Sequence, residues 1–70
     1  MQVTNFDGMS ISELWGWLDT HPKAHLQQRH YVQHKIFAME YRLQGCIEDA
    51  VRHEKECDQR YAKLPKKLRW

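Results

Sequence analysis

Seventy residues, two cysteines and a formal net charge of +2 set narrow bounds. A chain of this length forms one domain at most, and its core is marginal without a disulfide, a metal or a partner chain. The opening "MQVTNFDGMS" lacks the basic and apolar regions of a signal peptide, and no apolar run is long enough to span a membrane.

Residues 1–9 read as an extended lead-in with a turn at "FDG". Residues 10–20 carry a complete helix-start signal. Ser10 is the N-cap and Glu13 completes a capping box, while Met9 and Leu14 form a hydrophobic staple. Ile11, Leu14, Trp15 and Leu18 follow the spacing of one buried face. The helix is expected to stop near Asp19 or Thr20, because the residue before Pro22 avoids helical dihedrals.

Pro22 suits the first position of a second helix, predicted over 22–63. Leu26, Val32, Ile36, Met39, Leu43, Ile47, Ala50, Cys57, Tyr61 and Leu64 form one long stripe along it. Ile36, Leu43, Ala50, Cys57 and Leu64 share a heptad register, interrupted elsewhere by Arg29, Gln33, Glu40 and Glu54. Gly45 could cap a helix here, giving three helices. Its flanks hold no loop-forming cluster and the apolar phase runs through it, so a continuous or kinked helix is expected. Such a helix is about 60 Å long and one short helix cannot cover its stripe, which predicts a homodimer along it. Residues 64–70 read as a basic tail.

Charge is banded along this frame. Residues 21–45 hold four bases, one acid and four of the five histidines; residues 46–62 hold five acids against three bases; "KLPKKLRW" holds four bases and no acid. Cys46 and Cys57 are about 16 Å apart if they share a helix, too far for an intrachain disulfide. Two thiols without a framework point to a reducing, cytoplasmic setting. Both lie on or beside the stripe, where inert thiols are the norm.

His21/His25, His30/His34 and His53/Cys57 are i, i+4 pairs, a spacing that can chelate a metal. None has further ligands at zinc-like spacing, so no metal or cofactor is expected. Protonation of the histidines gives a milder, pH-dependent alternative. There is no phosphate loop, nucleophile elbow or paired-acid motif, so an enzyme is not expected. Trp15 reads as a core anchor. Trp17, beside the bare Gly16, reads either as packed on the long helix or as an exposed anchor for another protein. Tyr31, Phe37, Ala38 and Tyr41 form a second aromatic and apolar group beside the stripe, with His30, His34, Phe37 and Tyr41 on one side at 4-3-4 spacing; they read either as packed against the first helix or as a partner groove or second dimer contact.

The stretch "RYAKLPKKLRW" loosely resembles the C-terminal end of the Hha family of small helical nucleoid regulators, where a Tyr-x-Lys-apolar-Pro segment also closes a chain of about this length. The resemblance covers about ten residues, nothing upstream matches, and no family is assigned from it.

The expectation is an all-α fold: a short capped helix on a long amphipathic helix, paired as a bundle- or coiled-coil-like dimer. Its core and dimer residues are Leu14, Trp15, Leu18, Ile36, Leu43, Ile47, Ala50, Cys57 and Tyr61. The expected function is non-enzymatic, a module that binds and modulates or inhibits a larger protein, as small phage- or plasmid-borne regulators act on host proteins. Trp17, Tyr31, His34, Phe37, Tyr41, Lys63, Lys66, Lys67, Arg69 and Trp70 are the expected partner-binding residues. The alternative is nucleic-acid binding through the 21–45 band and the tail, whose four charges give a small phosphate footprint.

Overall fold

The computed structural model describes Phe6 and residues 8–68, the side chain of Leu68 excepted. Three helices follow in order: α1 (Ile11–Thr20), α2 (Leu26–Gln44) and α3 (Ile47–Ala62), with a closing 3-10 turn over Lys66–Leu68. The described residues contain no strand, so the fold is all-α.

The capping box that starts α1 forms as expected. The Glu13 N–H donates to Ser10 Oγ and the Ser10 N–H donates to Glu13 Oε1, both at 3.2 Å. Such a cap stabilises a helix by about 1 kcal/mol. The turn expected at "FDG" is present, and the extended conformation expected for residues 1–5 lies outside the described residues. The Met9 N–H donates to the Phe6 carbonyl at 3.0 Å, and this turn sends Phe6 into the core.

The second helix starts later than expected, at Leu26 rather than Pro22. Residues 21–25 form a turn in which the Ala24 N–H donates to the His21 carbonyl. His25 is then the cap: its backbone is extended and its Nδ1 accepts the Gln27 N–H at 3.1 Å. An imidazole acceptor satisfies one of the orphan donors of a helix start.

The expected continuous helix over 22–63 is two helices. Gly45 has φ 83°, in the left-handed region that penalises a side chain. The Cys46 N–H donates to the Tyr41 carbonyl at 2.8 Å and the Gly45 N–H to the Arg42 carbonyl at 3.1 Å. These two bonds make a Schellman cap, which satisfies carbonyls that a helix end leaves open. A stripe that keeps its phase through such a cap lets α3 fold back and bury the same residues against α2. The longest dimension of the molecule is accordingly 35 Å, against about 60 Å for the unbroken helix.

Antiparallel α2 and α3 form the main interface, and α1 leans on α2. Phe6, Leu14, Leu18, Tyr31, Val32, Ile36 and Cys57 make the central cluster, with Met9, Ile11, Trp17, Met39 and Tyr61 packed around it. Ala38, Ala50 and Leu64 are buried as well. Three residues expected in the core are exposed in this chain: Trp15 (44%), Leu43 (80%) and Ile47 (50%). Leu43 and Ile47 flank the Gly45 turn, so the reversal that buries Ile36, Ala50 and Cys57 carries them to the tip. Trp15 is displaced because α1 is centred on Leu14 and Leu18, while Phe6 packs beside Trp17 on the other flank.

Candidate functional site

The hairpin brings α2 and α3 side chains together in an imidazole–aromatic cluster. His34 of α2 and His53 of α3 meet with their Nδ1 atoms 2.9 Å apart and their ring centroids 5.2 Å apart, 28° from parallel. Tyr41 lies nearly parallel to His53, at 5.4 Å and 9°. Phe37 is tilted against His53 at 5.5 Å and presents an edge to His34 at 6.3 Å. Such a pair needs one Nδ1 to carry a proton and the other a lone pair. Burial lowers the His34 pKa; the His53 charge lowers it further, Glu56 opposes, and Arg60 and His30 add to the lowering. One turn before His34, the His30 Nδ1 is buried with no hydrogen-bond partner.

None of the three i, i+4 pairs acts as a chelate in this arrangement. The His21 Nδ1 donates to the Trp17 carbonyl at 2.9 Å, and the His25 Nδ1 caps α2. His34 turns away from His30 to His53. Cys57 donates to the Tyr31 carbonyl at 3.5 Å, and burial pushes its thiol up to about 12. Among the described residues, no three His, Cys, Asp or Glu side chains come together as a metal site.

The other expected binding residues are scattered. Tyr31 is buried, in ring contact with Phe6 and Tyr61, and offers no surface to a partner. Trp17 is half-buried between the edge of Phe6 (5.2 Å) and the stacked ring of His21 (4.5 Å). His34 and Tyr41 are partly buried, and Phe37 is exposed. Lys63, Lys66 and Lys67 are exposed; Arg69 and Trp70 lie outside the described residues.

The arginines of the 21–45 band are tied internally. Arg29 reaches α1, and Arg42 grips Glu54 of α3 through two bonds, Nε to Oε2 at 2.7 Å and Nη2 to Oε1 at 2.8 Å. This bond to Arg42 holds the Glu54 carboxyl below its usual range. A groove beside it, lined by Lys35, Met39, Glu54 and Asp58, has a volume of about 70 Å³. Ligand pockets are commonly several-fold larger, about 300–1,000 Å³.

What the sequence did not reveal is the apolar tip. Leu43, Cys46 and Ile47 surround the Gly45 turn and all are exposed. The only available signal was the glycine itself, since a turn there removes its neighbours from the stripe. Compared with protein-family models, with curated proteins and with solved structures, the chain matches none.

Proposed function

We propose that the chain is a non-enzymatic interaction module that binds a larger protein and modulates it, with the tip of the α2–α3 hairpin as its docking surface. The observation that carries this reading is the exposure of Leu43 and Ile47 on either side of a hydrogen-bonded Schellman turn. Two large apolar side chains held at a fixed separation on a small protein cost little to order on binding. Removing them from water contributes about 25 cal/mol for each Å² of apolar surface. Homodimerisation through the same tip is the form this reading takes if the partner is a second copy.

The nucleic-acid reading is the weaker one. Arg29 and Arg42 are engaged within the fold, and the exposed cations Lys63, Lys66 and Lys67 give a small electrostatic footprint.

The test is the double substitution Leu43→Ser with Ile47→Ser. Both side chains are exposed, so helicity and melting temperature are expected to hold while capture of the partner from a lysate is lost. Sedimentation of the pure chain identifies self-pairing, which the double variant abolishes. Unchanged capture and unchanged sedimentation would place the interface elsewhere. A salt-sensitive gel shift with DNA or RNA that survives the double substitution would favour the nucleic-acid reading.

A further inference from the structure

We propose that the α2–α3 seam is a proton-operated hinge, which opens along its His34–His53 edge when both imidazoles are charged while its Arg42–Glu54 edge stays shut. The placement of the two pairs carries the inference. His53 and Glu54 are neighbours on α3, so their side chains leave the helix about 100° apart. Ala50 and Cys57, the buried residues of α3, lie between them. His53 thus meets α2 at one edge of the seam through His34, and Glu54 meets it at the other through Arg42.

The imidazole edge is an N–H···N hydrogen bond, with 2.9 Å between the two Nδ1 atoms. Whichever ring donates, the first added proton can take that ring's Nε2, which leaves the bond intact and charge-assisted. The second proton has only the accepting Nδ1 left. It removes the lone pair, turns two N–H groups on each other and places two like charges in one contact. The rings must then part. Tyr41, stacked on His53, and Phe37, set against both rings, lose that contact. The charges that act on His34 come from α2 (His30) and from α3 (His53, Glu56 and Arg60); Glu56 favours its protonation and the others oppose it. His53 faces His34 and Tyr41 across the seam, and on its own helix Asp49, one turn before it, is paired to Arg52.

The clamp edge answers to lower pH. Arg42 stays charged, and its two bonds hold the Glu54 carboxyl below its ordinary range. Even an ordinary carboxyl titrates about two pH units below an ordinary imidazole. Mild acid therefore charges the imidazoles and leaves the clamp ionised, so one edge of the seam opens and the chain remains a hairpin.

The experiment follows the full chain by NMR from about pH 8 to 4, with helicity read alongside by circular dichroism. His34 and His53 are expected to titrate in two linked steps more than about one pH unit apart. The ring signals of Phe37 and Tyr41 should move with the second step, while the Arg42 Nε–H stays protected and helicity holds. His53→Gln cannot take a proton and should leave His34 a single step. The first readings are made on the unsubstituted chain, so they decide the proposal even where the variant loses its fold. Independent titration of the two rings with Phe37 and Tyr41 unmoved would overturn it. Loss of Arg42 Nε–H protection and of helicity at the second step would do the same, because the whole hairpin would then be unfolding. Two steps persisting for His34 in the variant would assign the coupling to another neighbour and equally overturn it.

Discussion

Arg29 of α2 closes the end of α1 by donating from Nη1 to the Leu18 carbonyl at 2.9 Å. The same nitrogen reaches the His21 carbonyl at 2.7 Å. The last turn of α1 contains no basic residue of its own, so a cation borrowed from α2 satisfies its open carbonyls and faces the negative end of its dipole. Arg29→Met keeps the aliphatic stem and removes the donor. Hydrogen bonds to a charged group are worth about 1.5–3 kcal/mol each, and partial exposure places the expected loss near the lower end. Denaturant unfolding measures it; a loss below about 0.5 kcal/mol, the ordinary range of surface changes, would show that α1 is held by packing alone.

The two tryptophans of α1 should respond in opposite ways. Trp17 packs on Phe6 and His21 against the core, whereas Trp15 is exposed. Trp17→Ala is expected to cost about 2–3 kcal/mol, less than the 3–5 of a fully buried ring. Trp15→Ala should stay within about 0.5 kcal/mol. Thermal melts of the two single variants decide the order. An earlier melt for Trp15→Ala would return Trp15 to the core.

Local signals were legible in the sequence and long-range ones were not. The Ser10–Glu13 cap depends on residues three apart, and the end of α1 on the proline that follows; both are where the sequence places them. The Gly45 break was hidden because α2 and α3 bury faces that stay in phase across it. The apolar spacing alone therefore fits one helix or two. Trp15 is exposed where a core anchor was expected, and Trp17 takes the packed one of its two readings, because Phe6, outside the helix, decides which flank of α1 is covered. His34 and His53 are nineteen positions apart. Their meeting is a consequence of the hairpin register, and no i, i+4 rule could have found it.

The cysteines should differ sharply in reactivity. Cys46 is exposed and Cys57 is buried with its thiol pushed up to about 12, chiefly by loss of solvent. The thiolate is the reactive form, so a thiol reagent at neutral pH is expected to modify Cys46 alone until the chain unfolds. Mass spectrometry of the native chain after brief alkylation locates the label. Equal labelling of both cysteines would mean that α3 opens from α2 on the timescale of the reaction.

Stability should fall on mild acidification because of His34. Its folded pKa lies below the ordinary imidazole value of about 6.5, with burial the leading cause. The unfolded chain then binds the proton more readily than the folded one. The stabilising contribution is complete above about pH 6.5 and is lost as pH falls below it, through the folded pKa. His34→Gln cannot titrate and should flatten this part of the pH–stability curve. A wild-type curve already flat between about pH 7 and 5 would show that the ring is as easily protonated in the fold as outside it.

Gly45→Ala tests the turn on which the whole arrangement depends. Beyond the glycine and its two chain neighbours, no atom lies within 4 Å of where the new Cβ would be, so the effect is carried by the backbone at φ 83°. Placing an L side chain in that region costs about 1–2 kcal/mol. A domain of this size loses about 4–8 °C in melting temperature per kcal/mol. Gly45→Asn should cost less, because a short polar side chain tolerates the left-handed region better. Gly45→Ala also raises helix propensity at the junction by about 1 kcal/mol, which favours running α2 directly into α3. Such a straightened chain would separate Arg42 from Glu54 and His34 from His53, and its bared stripe would need a second copy to cover it. The expected result is a lower melting temperature with no change in sedimenting mass. A variant that melts higher and sediments at twice the mass would show that the long paired helix is the more stable form, and that the hairpin survives only through the strain-free glycine.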